Sequence, residues 1–253
     1  MTFSTVRKLF VVCVLLFLSA TFSVSAQEKR LKAIRVHGGS FHDSYQNLTP
    51  EGLLSMIKGG TSNGFNLSDY EEYAKYASLE GGNIGIDFIL TPQKPLLKGN
   101  IMQEIRVGVS ANIEREAMID MQKKHIATDS YYDYETVGLC IIENEFILQG
   151  AYLLHLGLIE DRLTVFGGLG GNAGTTFNNR FIFVNLNDEF IAARNSQFFR
   201  GYGLLGASYR MGRVKLDLES IYGAGWQIVN GADNNIMNRT RGVQFGISYL
   251  LDR

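Results

Sequence analysis

Residues 198 to 251 read FFRGYGLLGASYRMGRVKLDLESIYGAGWQIVNGADNNIMNRTRGVQFGISYLL. From Val214 to Glu219 apolar and polar residues alternate at a period of two, and the parity continues through Tyr222, Ala224, Trp226 and Ile228. After a polar stretch the pattern returns in Val243, Phe245, Ile247, Tyr249 and Leu251. Period-two alternation places one set of side chains on each face of a β-strand. One face here is apolar and aromatic; the other carries Lys215, Asp217, Glu219, Gln227, Gln244 and Ser248. A sandwich buries such an apolar face against a second sheet. A transmembrane barrel turns it to lipid and points the polar face inward.

The N-terminal composition helps to choose. Arg7 and Lys8 precede an apolar run from Leu9 to Leu18, and Val24-Ser25-Ala26 followed by Gln27 fits a cleavage site. Residues 1–26 therefore read as a secretory signal peptide, and 27–253 as one barrel domain. Cys13 lies inside the apolar run, leaving Cys140 alone in the mature chain, without a disulfide framework and best read as a small packed residue. No later segment approaches the roughly 18 consecutive apolar residues of a membrane helix. Lys+Arg 24 against Asp+Glu 25 gives no basic surplus, so nucleic-acid contact is not expected. Secretion, many alternating strands and no membrane helix favour a bacterial outer-membrane barrel over a secreted sandwich.

Taken in order, candidate strands are 31–41, 82–90, 101–113, 131–156, 162–176, 198–211, 214–228 and 239–251. Between the first two, Thr49-Pro50-Glu51 signals a short helix to about residue 58, and Ser68 signals another over 69–77. The strand 131–156 is ambiguous. Val137, Leu139 and Ile141 share odd parity, whereas Phe146, Leu148, Tyr152, Leu154 and Leu156 share even parity. Either a hairpin lies at Glu143-Asn144-Glu145 or one long strand contains a bulge. The bulged reading makes connections alternate between short and long, as barrels with short periplasmic turns and long external loops require.

The expected fold is thus an eight-stranded antiparallel transmembrane barrel with short helices in its first long loop, located in the outer membrane. Eight strands leave an interior filled by side chains. Asp87, Glu104, Arg106, Glu143, Lys215, Asp217 and Glu219 are expected to point inward and pair. Tyr131, Tyr132, Tyr134, Phe198, Phe199, Tyr222 and Trp226 are candidates for aromatic girdles.

Chemical motifs are sparse. Gly168-Leu169-Gly170-Gly171-Asn172-Ala173 imitates a dinucleotide-binding pattern but lacks a following helix, and reads as glycines that let a strand coil. His37, His42, His125 and His155 have no metal-ligand spacing; His37 and His42 with Asp43 are the nearest to a cluster, and polar lining is the simpler reading. Ser40, His37 and Asp43 form the one local grouping that a lipid-modifying hydrolase could use. No cofactor, metal or catalytic residue is assigned. The sequons at Asn47, Asn66 and Asn238 carry no weight in a bacterial barrel.

Several segments together resemble the conjugative-transposon protein TraO family. They are Ile34 to Phe41 (IRVHGGSF), Phe146 to Tyr152 (FILQGAY), Val165 to Gly174 (VFGGLGGNAG), Leu216 to Trp226 (LDLESIYGAGW) and Val243 to Ile247 (VQFGI). Residues 42–82 have no counterpart in that likeness. The resemblance implies a non-enzymatic envelope component of a DNA-transfer apparatus, with outer-membrane lipid and other apparatus proteins as partners. Generic adhesion or envelope integrity is the alternative, and a lipid-modifying enzyme a further one.

Overall fold

A computed structural model describes residues 30–45, 49–57, 69–92, 101–123, 136–159, 162–184, 187–229 and 235–251. The signal-peptide segment and Tyr131, Tyr132 and Tyr134 lie outside them. The strands are β1 (Arg30–Tyr45), β2 (Tyr70–Thr91), β3 (Ile101–Lys123), β4 (Thr136–Ile159), β5 (Leu163–Val184), β6 (Asn187–Ala192), β7 (Ser196–Met211), β8 (Val214–Val229) and β9 (Asn235–Leu250). Within β1 to β5 and within β7 to β9 each strand pairs antiparallel with the next, β5 pairs with β7, and β1 pairs with β9. The result is a closed ring of eight strands, to which β6 adds a short flap on the tip of β5. Closure leaves no free edge through the ring. Among the described residues no helix is long and apolar enough to cross a membrane, a condition that says nothing against strands.

The alternation in residues 214–251 has the direction expected of a barrel in lipid. Leu218, Tyr222, Trp226, Val243, Phe245, Ile247 and Tyr249 face out, while Asp217, Glu219, Gln227, Gln244 and Ser248 are buried inside. Outward apolar residues continue around the ring through Val36, Ile86, Val109, Leu148, Leu169 and Leu205, the last two 74% and 70% exposed. This continuous apolar belt needs a non-aqueous surrounding.

Four strands are much longer than the belt. β2 to β5 run 22–24 residues, against 16 for β1, β7, β8 and β9. In their extra length the pattern inverts. Ala117, Ile119, Met121, Val137, Leu139, Ile141, Phe181 and Phe183 point inward and form one buried cluster, whereas the outward positions carry Glu114, Glu116, Asp120 and Arg180 among the half-buried Met118, Ile142 and Ile182. A wall that is apolar inside and carries these charges outside suits water. The tall half of the barrel therefore rises out of the lipid as a small soluble structure with its own core. Its strands are joined across 46–69, 124–135, 185–195 and 230–234, the long connections. The opposite end turns at 92–100, 160–162 and 212–213, so the projection lies on the external side by the usual asymmetry of such barrels.

Two expectations are corrected here. One long β4 forms, but without a bulge at Glu143–Glu145; its register against β5 slips instead at Leu158, near its end. Val137, Leu139, Ile141, Glu143, Glu145 and Ile147 all face inward on one parity. The apparent slip at Glu143–Glu145 marks where the medium outside changes from lipid to water. The irregularities at that level lie in the flanking strands, at Glu114 of β3 and Asn178 of β5, both with φ of 49°. The second correction concerns the helices. Pro50–Leu54 makes five residues of helix (α1), little more than one turn, with Gly52 N donating to Thr49 Oγ1 at 3.1 Å. The helix expected over 69–77 is strand instead, because Tyr70 to Tyr76 pair with Met118 to Lys123 and the ladder overrides the local capping signal. Residues 177–197, expected as loop, are likewise mostly β5 and β6.

Candidate functional site

The lumen is filled by charged and polar side chains stacked in layers. The layer nearest the short turns centres on two arginines. Arg35 reaches Asp87 Oδ2 at 2.8 Å, Asp217 Oδ2 at 3.1 Å and Glu219 Oε1 at 3.0 Å, contacting two other strands. Arg106 reaches Glu104 Oε1 at 2.6 Å and Glu219 Oε2 at 2.5 Å. Lys215 Nζ lies 3.0 Å from Glu104 Oε2. His155 Nε2 stands 3.3 Å from the same oxygen and His37 Nε2 3.6 Å from Asp87 Oδ2. Gln149 donates to Asp87 Oδ1 at 2.7 Å. Strand alternation supplies every one of these side chains from a position opposite an outward apolar residue.

Nearer the long connections a second layer repeats the arrangement. Arg115 lies 2.9 Å from both Asp43 Oδ2 and Glu145 Oε2. Arg200 meets Glu145 Oε1 at 2.5 Å and Asp43 Oδ2 at 3.1 Å, and its guanidinium covers the Phe198 ring at 4.0 Å. The Asp43 contacts are at ion-pair distance but off the line that a good hydrogen bond needs. Asn112 donates to Glu145 and Asn83 to Asn112. Glu143 accepts from Gln227 Nε2 at 2.9 Å and, at 3.4 Å, from Tyr45.

A cavity of about 40 Å³ separates the layers, lined in part by Phe41, Ile147, Tyr202, Leu204 and Ile221. That is room for water and too little for a drug-sized ligand. Above the second layer the apolar cluster closes the external mouth, completed by Met56 and Ile57 after α1. Ile57 bridges to Ala193 and Arg194 N donates to Met56 O at 2.6 Å, so the described part of the first long connection is tied across the opening.

The residues singled out from sequence divide accordingly. Asp87, Glu104, Arg106, Lys215, Asp217 and Glu219 meet in the first layer, and Glu143 stands apart in the second. Arg35, Asp43, Arg115, Glu145 and Arg200 were not anticipated as network members. Arg35 between Ile34 and Val36, and Arg200 after Phe199, carry the signal in their parity. Arg115 does not, because the irregularity at Glu114 flips it inward.

The hydrolase grouping and the metal cluster do not assemble. Ser40 and His42 are on the outer face, while His37 and Asp43 are inside, as parity requires of residues an odd number apart on a regular strand. His42 Nδ1 is 2.8 Å from Glu80 on that outer face. Among the described residues no group of His, Cys, Asp and Glu is disposed to hold a metal ion. The glycine-rich stretch is ordinary β5, where a Cβ on Gly168 would overlap the Tyr152 carbonyl oxygen of β4. Phe199, Tyr222 and Trp226 occupy the outer belt, but Phe198 does not: it is a lumen residue, 1% exposed. Cys140 is buried.

No protein-family model matches the chain, and no curated protein matches it. Among solved structures, one similar chain is Ail, the attachment invasion locus protein of Yersinia pestis, determined in complex with the heparin analogue sucrose octasulfate. The likeness has a TM-score of 0.34 at 10% sequence identity and covers 87% of this chain and 100% of that one.

Proposed function

We propose that this chain is a non-enzymatic scaffold of the bacterial outer membrane, and that its partners belong to a conjugative DNA-transfer apparatus. The observation that carries the scaffold reading is the pairing of a blocked lumen with a rigid projection. Among the described residues, two layers of ion pairs and an apolar cap cross the lumen from wall to wall. Transport is therefore a poor use of this barrel. β2 to β5 meanwhile carry a hydrogen-bonded, water-compatible sheet beyond the lipid belt, a fixed platform for another protein. The conjugation part rests on the TraO resemblance alone.

Transfer frequency from a donor lacking this gene, with a complemented control, tests the assignment. Loss of transfer with normal growth and an intact envelope is the expected result. A complementing gene whose β3–β4 tip is shortened between Met118 and Leu139 should insert but not restore transfer. Unchanged transfer in the deletion strain removes the conjugation role and leaves a general surface barrel, the reading that adhesion or envelope integrity would fit.

A further inference from the structure

Arg239 and Arg241 are exposed, lie on the outer face of β9, and have no ion-pair or hydrogen-bond partner among the described residues. Their position is unusual for the outer wall of this barrel. Directly below them the same face of β9 becomes Val243, Phe245, Ile247 and Tyr249, all about half exposed to the surrounding lipid. Register sets Arg241 beside Tyr222 of β8 and His42 of β1, and Arg239 beside Ala224 and Ser44. Trp226, 56% exposed, sits one step above, opposite Met237. The two arginines thus lie at the external border of the apolar belt, among the aromatic side chains that mark a lipid–water interface.

An arginine on the lipid face costs about 2–4 kcal/mol at the midplane but close to nothing at the interface. The pair is therefore at the one depth on this strand where it is tolerated, and there it meets headgroups. Alternate residues of a strand are about 7 Å apart, so the two guanidinium groups are spaced to grip one headgroup together, and Ala224 and Ser44 leave Arg239 uncrowded. Guanidinium forks match phosphate oxygens in pairs of parallel hydrogen bonds. Glu80, an acid on that face across from His42, is engaged with it. Cations at the opposite rim behave differently: Arg210 Nε donates to the Gly212 carbonyl and Arg213 Nη1 to the Tyr249 hydroxyl.

We propose that Arg239 and Arg241 form a docking site for the phosphate of an outer-leaflet glycolipid, on the lipid-facing wall between β8 and β1. This inference rests on the membrane reading of the barrel and not on the conjugation role.

The test is native mass spectrometry of the full-length mature chain, released from detergent after incubation with a diphosphorylated glycolipid or its dephosphorylated analogue. The wild type should retain the phosphorylated lipid at least five-fold more than the analogue. The R239Q/R241Q variant should lose that preference, and R210Q/R213Q at the other rim should keep it. Equal retention of both lipids by the wild type would overturn the proposal without reference to any variant. So would an unchanged preference in R239Q/R241Q. Displacement of the lipid by millimolar inorganic phosphate would mark a free-anion site and equally overturn the lipid assignment. A chain that shifts on an unboiled gel yet retains neither lipid would refute the site while leaving the barrel intact.

Discussion

Ile113 and Arg115 lie two residues apart in β3 and on opposite sides of the barrel wall. Ile113 is 59% exposed to the outside, and Arg115 is fully buried between Asp43 and Glu145. Residues so spaced in a regular strand share a face. Glu114 between them has φ of 49°, a left-handed conformation that inserts one extra residue against Asn144 and reverses the parity. Below this point β3 is built for lipid; above it, for water.

A β-branched side chain at residue 114 should be strained by roughly 1–2 kcal/mol relative to glycine, the usual cost of the left-handed region. Glu114→Val should unfold at lower denaturant than Glu114→Gly, compared by denaturant titration in the same detergent. Equal midpoints would mean that the turn is not a constraint on the wall.

Glu145 is fully buried and holds two arginines, so removing it strands Arg115 and Arg200 beside Asp43 alone. Breaking a buried pair by deleting one partner costs about 3–5 kcal/mol. Glu145→Ala should lower the temperature at which the compact unboiled gel band is lost. Glu80→Ala, which removes the exposed His42 contact, should change stability by less than about 1 kcal/mol. The two variants behaving alike would contradict the layered lumen.

With two ion-pair layers and a cap, the purified chain in a planar lipid bilayer should give no steady conductance steps. Porin-like openings from the wild type would show that the lumen side chains move aside. Replacing both Arg35 and Arg106 by alanine removes the cations that hold four carboxylates in the lower layer, and that variant should be markedly less stable.

Trp226 is the chain's single tryptophan and faces outward at the border of the belt. Its fluorescence in vesicles should be quenched more by a lipid carrying the quencher near the headgroup than by one carrying it at the chain terminus. Stronger quenching from the terminus would move the membrane several residues up the strands, and no quenching from either would remove the membrane altogether.

Phe181 is fully buried in the cap, above the lipid. Phe181→Ala should cost about 3–5 kcal/mol of cap stability. Limited proteolysis would then cut the β4 and β5 tips while the membrane part stays resistant. Cleavage unchanged from wild type would argue against a separate external core.

Residues 214–251 contain the barrel almost unaided, because in a thin closed wall each side chain faces either lipid or lumen, and neither choice depends on distant partners. The inward direction of Asp217, Glu219 and Lys215 follows from their own neighbours Leu216 and Leu218. Only the closed ring decides which charges meet: Arg35 contacts β2 and β8, far apart in sequence, and Arg115 joins β1 to β4. The inversion in β4 also escapes a local reading. Alternation reports which face is apolar, not which face is inside, and the same parity means opposite things in lipid and in water. Helix signals at 68–69 yielded for a related reason, since ladder hydrogen bonds to β3 are invisible until the strands are brought together. Period and composition fixed a barrel wall; its height above the membrane, its closed mouth and its internal pairs are properties of the closed ring.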